Sequence, residues 1–402
     1  MKKMSGNEKL LIMINCLYML ANAMSAVFMN VYLYAYTGSL VVMTIYTMVR
    51  IGLFPPFFTL GGKWAQHHRF SQTLTVGLLL IMGNLLFVLF FNSYFSENPN
   101  LVYGAAMILG AGEGLFWLSI NSLNQIVSSK ESRSQYISNI GIFNSVSSIV
   151  APLIATFFID IAATDFDGYI FIFQIVLVIY AFISVLSLRI NAKSPPENFY
   201  VLQKLCFKND MQWRYCLVST FLYGMRDSLI LTLSGLLVYS ATGGSGSTYG
   251  RLLALFAVLQ IISYRLVAST MKRNNRMYFY RIGSWILASS TIILVLSPNL
   301  SGAIYFGVSN AIATPMYNIP YQIITMNAIQ DYAPFENIIG RVIAKETYLS
   351  FGRCFGMLSI VLCYFFLPEA WYLKVTVIFC SLFPIILTTY ATFYHKKREK
   401  NK

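Results

Sequence analysis

The sequence predicts an all-α integral membrane protein of twelve transmembrane helices in two pseudo-symmetric six-helix bundles. Three observations carry that prediction. Of 402 residues, 57% are hydrophobic and 11% charged, where a soluble protein holds about 25% charged residues. The apolar residues gather into runs of spanning length, which is about 20 residues. The basic residues sit in alternate gaps between those runs.

The runs place spans near 10–34, 39–60, 71–91, 101–124, 138–159, 169–188, 214–241, 249–268, 279–297, 300–328, 345–367 and 371–394. The first begins like a signal peptide, with Lys2-Lys3, an apolar run and Ala21-Asn22-Ala23. Its apolar stretch continues to Tyr36, too long for a signal-peptide core, so it is expected to stay as a span. Both termini and the even-numbered gaps hold 23 Lys and Arg, from Lys63, Arg69, Lys130 and Arg133 through to the Lys396–Lys402 tail. The other side, at the odd-numbered gaps and the span ends beside them, has only Arg251 and Lys374, alongside Asp160, Asp165 and Asp167. Basic residues accumulate on the cytoplasmic side, so both termini are expected there. The net charge of +14 therefore reads as membrane orientation rather than as nucleic-acid binding. Six scattered cysteines without C-x-x-C spacing read as free thiols.

A shift of 205 residues lays span one on span seven. Leu17-Tyr18 falls on Leu222-Tyr223, Asn22 on Asp227, Tyr34 on Tyr239 and Thr37-Gly38 on Thr242-Gly243. Gly77 and Gly283, in spans three and nine, lie 206 apart. A repeat at this distance implies two halves, 1–190 and 214–402, joined by a polar cytoplasmic linker at 191–213 that contains Pro195-Pro196.

The loop after span two reads Gly62-Lys63-Trp64-Ala65-Gln66-His67-His68-Arg69, and span five contains Ala151-Pro152-Leu153-Ile154-Ala155-Thr156. With the 6+6 layout and the cytoplasmic ends, these segments resemble the major facilitator superfamily over essentially the full chain. The loop keeps that family's glycine and basic character but lacks its aspartate. Span five keeps the proline and small residues of the family's exporters. Small residues let backbones approach closely, and Pro152 removes a backbone donor. Gly352 and Gly356, four apart in span eleven, fit the same packing role. Gly62, Pro152, Pro315, Pro320, Gly352 and Gly356 are thus the conformational candidates.

Charges inside a bilayer are costly and mark functional sites. Arg50 lies mid-span in span two, Glu113 in span four, Arg226-Asp227 in span seven and Arg353 in span eleven; Arg265 and Glu346 lie nearer the cytoplasmic face. Spans three, six, nine and twelve carry none well inside, and the resembled fold puts those four at its periphery. The same resemblance puts spans one, four, seven and ten around a central cavity.

Glu113 and Asp227 are the candidates for carrying a proton, since a buried carboxylate can take up and release one. Their alternative is structural pairing, with Arg50 and Arg353 respectively. Arg226 points about 100° from Asp227 around the helix, which leaves it as a candidate for an anionic or polar substrate group. Asn22, Trp117, Asn121, Tyr223, Asn310, Tyr317 and Asn318 extend the polar lining, although such groups also join membrane helices structurally. Pro315 and Pro320 are expected to interrupt the ladder of span ten and allow bending.

Gly110, Gly112 and Gly114 lie within an apolar helix and form no nucleotide loop. His67-His68 reads as a solvated pair, Asn299-Leu300-Ser301 as a chance sequon, and the chain has no Walker A motif. The resulting expectation is a secondary active transporter working by alternating access. The resemblance implies proton-coupled efflux of a small amphipathic compound, without a cofactor beyond the proton gradient. It further implies a monomer in a bacterial plasma membrane, with a small-molecule substrate and the bilayer as partners and no nucleic acid. A nutrient importer or symporter and a lipid flippase are the alternatives on the same fold. A membrane enzyme would need a nucleophile or metal cluster at one surface. A sensor or scaffold would tolerate neutralised charges.

Overall fold

The computed structural model describes residues 5–37, 40–91, 94, 100–128, 132–161, 165–192, 211–229, 235–243, 246–331 and 338–400. Among these, fifteen helices fall on the twelve predicted spans and no strand occurs. Spans one, three, four, five and six are Gly6–Thr37, Phe70–Phe91, Leu101–Val127, Arg133–Ile161 and Asp165–Ser187. Spans eight to eleven are Gly246–Thr270, Arg276–Leu296, Leu300–Asp331 and Ile338–Phe366. The other three spans consist of two segments each. These are Leu40–Gly52 with Phe54–His67, Met211–Leu229 with Gly235–Ala241, and Glu369–Ser381 with Phe383–Lys400.

Two of the breaks follow from proline. Pro55 and Pro56 bring no N–H to the carbonyls of Ile51 and Gly52, so span two divides at Leu53. Pro384 does the same one turn after Cys380 in span twelve. Pro315 and Pro320 each interrupt the ladder without ending the helix. Span ten runs through both as one helix, because each proline removes a single rung and the turns on either side keep theirs. Span one starts at a reciprocal cap: Ser5 N–H donates to Glu8 Oε2 at 2.7 Å and Glu8 N–H to Ser5 Oγ at 3.2 Å. The Ser132 hydroxyl donates to the other Glu8 oxygen.

Span five begins five residues before the sequence reading, at Arg133. That residue was expected in a solvated loop, yet it is 1% exposed and donates to Asn327 Oδ1 at 2.6 Å. Span eleven likewise starts early, at Ile338, and takes in Arg341 and Lys345. The linker at 193–210 lies outside the described residues, as do the side chains of Pro152, Ala155 and Thr156 and those of Tyr34, Gly38 and Tyr239. Gly62 is buried within the second segment of span two. Cys16, Cys216, Cys354, Cys363 and Cys380 are free thiols.

By contacts the chain divides into two units. The first comprises Met1–Ser132, Val146–Cys206 and Ile329–Thr347; the second comprises Arg133–Ser145, Phe207–Ala328 and Tyr348–Lys402. In the first unit span three crosses span four at Gly77, where a Cβ would lie 2.8 Å from the Gly112 carbonyl oxygen. Thr75 and Ser187 join spans three and six at 2.9 Å. In the second unit span nine crosses span ten at Gly283, where a Cβ would lie 3.0 Å from the Tyr317 nitrogen. Ser284 and Thr388 join spans nine and twelve, also at 2.9 Å. The two glycines matched in sequence thus make matched crossings, the first too close for a Cβ and the second tighter than most Cβ contacts.

Seven of the described helices are long and apolar enough to cross a membrane by length and composition. Spans three, six, nine and twelve are among them, and they turn large apolar side chains outward: Phe90 is 74% exposed, Val178 69% and Trp285 62%. Such faces match a lipid surround.

Gly110 is packed against the backbone carbonyl of Arg50, whereas Gly104, on the same helix, has open space around it. Gly110→Ala is expected to destabilise the protein by about 1–3 kcal/mol through overpacking. Gly104→Ala is expected to be neutral or to stabilise it by up to about 1 kcal/mol through helix propensity. Thermal unfolding of the two variants in detergent checks both.

Candidate functional site

Glu113 is 1% exposed on span four. The Arg50 guanidinium meets it with two bonds, Nε to Oε2 and Nη2 to Oε1. Tyr18 of span one donates its hydroxyl to Oε1 at 3.2 Å. The geometry starts with glycine. The Arg50 backbone lies on Gly110 and the start of the following segment lies on Gly114, Phe57 Cβ being 2.9 Å from an added Cβ there. Gly112, on another face, is crossed by span three. Three alternate glycines therefore admit two neighbouring helices and bring the guanidinium within reach of a carboxylate one turn further on. Around the pair stands an aromatic wall. Tyr18 stacks on Phe116 at 3.7 Å between ring centres and meets Trp117 edge-on at 5.5 Å and Tyr180 at 5.8 Å.

The second unit repeats the arrangement with other residues. Gly224 of span seven packs against span eleven, an added Cβ lying 2.5 Å from the Leu349 carbonyl oxygen and 3.0 Å from the Arg353 nitrogen. Gly352 lies on the Phe221 carbonyl and Gly356 on Met225 and Ser228. One turn beyond Gly224, Asp227 Oδ2 accepts from Arg353 Nε at 2.9 Å and Nη2 at 2.7 Å. Each acid therefore follows a glycine by three residues, and each glycine touches the backbone of the arginine that pairs with that acid.

The repeat register extends to a hydrogen bond. Tyr223 donates to Asn318 Oδ1 at 3.4 Å, and both residues lie 205 positions beyond Tyr18 and Glu113. Where the first half has a carboxylate held by arginine, the second has a neutral amide, with Tyr264 of span eight close by. The tyrosine rings are nearly parallel: Tyr223 and Tyr321 are 4.5 Å apart at 3°, Tyr223 and Tyr317 6.1 Å apart at 6°. Tyr321 donates to Thr220 at 3.1 Å, and Tyr280 packs 5.1 Å from Tyr317.

Arg226 is half-buried and, among the described residues, makes no hydrogen bond or ion pair. Asn310 is not gathered with these groups. It accepts from Thr314 at 3.1 Å and stands eight residues before Asn318, about 12 Å along the helix. Asn22 and Asn121 are half-buried, and the backbone carbonyl of Asn22 accepts from Ser25 at 3.2 Å. Glu346 pairs with its neighbour Lys345 at 2.7 Å, and Arg265 is exposed. The residues that sequence reasoning missed are Tyr18, Tyr180, Tyr264 and Tyr321. Carrying the 205-residue shift from Glu113 to Asn318 would have found the first.

The sequence pattern of the Major Facilitator Superfamily matches residues 11–344. An uncharacterized protein of Bacillus subtilis, YqgE, is 25% identical over 362 residues, which cover 89% of this chain and 83% of that protein. A bacterial homologue of the iron transporter ferroportin, in an outward-facing state, superimposes with a TM-score of 0.72 at 16% identity, over 96% of this chain and 98% of the other. The proton:xylose symporter XylE gives 0.73 at 11% identity, over 96% and 94%. The match to the family pattern spans most of the chain, and the likeness to both structures is one of fold. The chain belongs to the Major Facilitator Superfamily and is a multi-pass membrane transport protein.

Proposed function

We propose that this transporter works by alternating access and couples export of a small amphipathic compound to a proton gradient, with Glu113 as the principal coupling carboxylate. One observation carries the reading: an ionisable group 1% exposed inside a span, held jointly by a cation and a tyrosine hydroxyl. Neutralising Glu113 with a proton removes the charge that holds Arg50. The backbone contact at Gly110 survives that step, so spans two and four stay together while their side-chain link opens. Asp227, bound to Arg353 through one oxygen, is the second proton-carrying group. A ligand-dependent shift between two states needs such differential interactions.

Export rests on the small-residue segment at 151–156 of span five. A proton symporter of the same fold supports proton coupling on this architecture. The alternation of basic gaps supports cytoplasmic termini. The relatives in Bacillus and Geobacillus support a bacterial plasma membrane as the setting. The chain is read as a monomer.

In proteoliposomes under an imposed pH gradient, Glu113→Gln and Asp227→Asn are each expected to lose gradient-driven flux. For Glu113→Gln the loss is about tenfold or more, the scale of a typical coupling free energy; wild-type flux in both variants overturns the assignment. Stability gives a second check. Glu113→Ala leaves the half-buried Arg50 without its counter-charge and is expected to cost up to about 3 kcal/mol, most of it recovered in the Arg50→Met/Glu113→Leu double variant. Coupled transport should remain absent from the stable double variant. Its return there would mean that the pair is purely structural.

A further inference from the structure

Among the described residues, Arg226 is a mid-span cation outside both buried ion pairs. Its neighbour Asp227 is committed to Arg353 at 2.7 and 2.9 Å. A guanidinium cannot shed its proton in a protein; the end of its own helix at Leu229 compensates part of this half-buried charge, and an anionic ligand group would compensate the rest. The surroundings suit one kind of anion. Tyr223 lies one turn earlier on the same face of the helix, and both Tyr223 and Tyr317 are within electrostatic reach of Arg226 and of Asp227, whose charge is answered by Arg353. Tyr223, Tyr317 and Tyr321 lie parallel to within 6°. Tyr317 and Tyr321 are buried at 0% and 5% exposure, so the half-buried Tyr223 is the ring of the three left to meet another planar group. Asn318, standing where the first half has Glu113, adds polarity there without adding a negative charge that would repel an anion.

We propose, resting on the transport reading above, that the C-terminal half recognises the substrate as an organic anion with a planar apolar body. The anionic oxygen group pairs with Arg226 and the body lies against Tyr223, which Tyr317 and Tyr321 support from the core. The neutral amide at position 318 keeps this site receptive to negative charge, while Glu113 carries the proton in the other half.

Three probes with one body test the assignment on the purified full chain in detergent, by isothermal titration calorimetry: naphthalene-2-carboxylate, naphthalene-2-carboxamide and naphthalen-2-ylmethylammonium. The carboxylate is expected to bind, with the amide and the ammonium weaker by about tenfold or more, the scale of a lost charge-assisted bond. Arg226→Gln should bring the carboxylate down to the level of the amide, Arg226→Lys should keep most of its affinity, and Arg251→Gln should leave it unchanged. A carboxylate that does not bind, or that binds Arg226→Gln as well as wild type, overturns the proposal; so does an amide that binds as well as the carboxylate. Flux of the same probe in proteoliposomes separates the two readings. Arg226-dependent binding with flux indifferent to the pH gradient upholds the anion site and refutes coupling. Gradient-driven flux with no preference for the anion refutes only the anion site.

Discussion

An arginine laid backbone-first against a glycine is the contact on which both charged sites depend. Arg50 rests on Gly110 and Arg353 on Gly224, and in each case the paired acid follows three residues later, as Glu113 or Asp227. The glycine sets the distance between helix axes. The helical repeat then sets the direction, since residues three apart share a face. A Cβ at either glycine would push the arginine away and leave a charge without its partner in a medium of low dielectric. The tight crossing and the ion pair are therefore one constraint, and the electrostatics of the site follow from the absence of a side chain.

The two halves spend that constraint differently. In the first, Arg50 and Tyr18 converge on one carboxylate, and the aromatic residues Phe116, Trp117 and Tyr180 close around them. In the second, the acid has moved to span seven, where the first half has Asn22, and the position equivalent to Glu113 holds Asn318. Each half thus carries one acid and one amide at matched places, with their positions exchanged. The tyrosine donor is common to both, so the exchange changes charge while preserving hydrogen-bond geometry.

Much of this was legible in the sequence. Hydropathy and the alternation of basic gaps gave the twelve spans, and the match of Gly77 to Gly283 gave crossings that exist in both units. The mid-span charges named both ion pairs, because charge in an apolar run has no bland explanation. Tyrosines were harder to place. In lipid, an apolar or aromatic side chain is at home on any face of a helix, so Tyr264 and Tyr321 left no periodic trace of being inward. Arg133 was misplaced for a related reason: a basic residue beside a loop reads as solvated until a partner such as Asn327, 194 positions away, is seen to receive it. The breaks at Leu53 and Leu382 follow from the local chemistry of proline, whereas span ten stays one helix through two prolines because its neighbouring rungs suffice.

The bond shared by the two repeats, Tyr18 to Glu113 and Tyr223 to Asn318, has a practical consequence. The chain carries its own reference cell. A spectroscopic change seen at one tyrosine as acidity varies can be set against its twin, which faces an amide that does not titrate. Subtracting the two removes what belongs to temperature, detergent or helix motion common to both. What is left reports the charge on Glu113 set against that on Asp227, the acid nearest the twin, read inside one polypeptide with no second sample required.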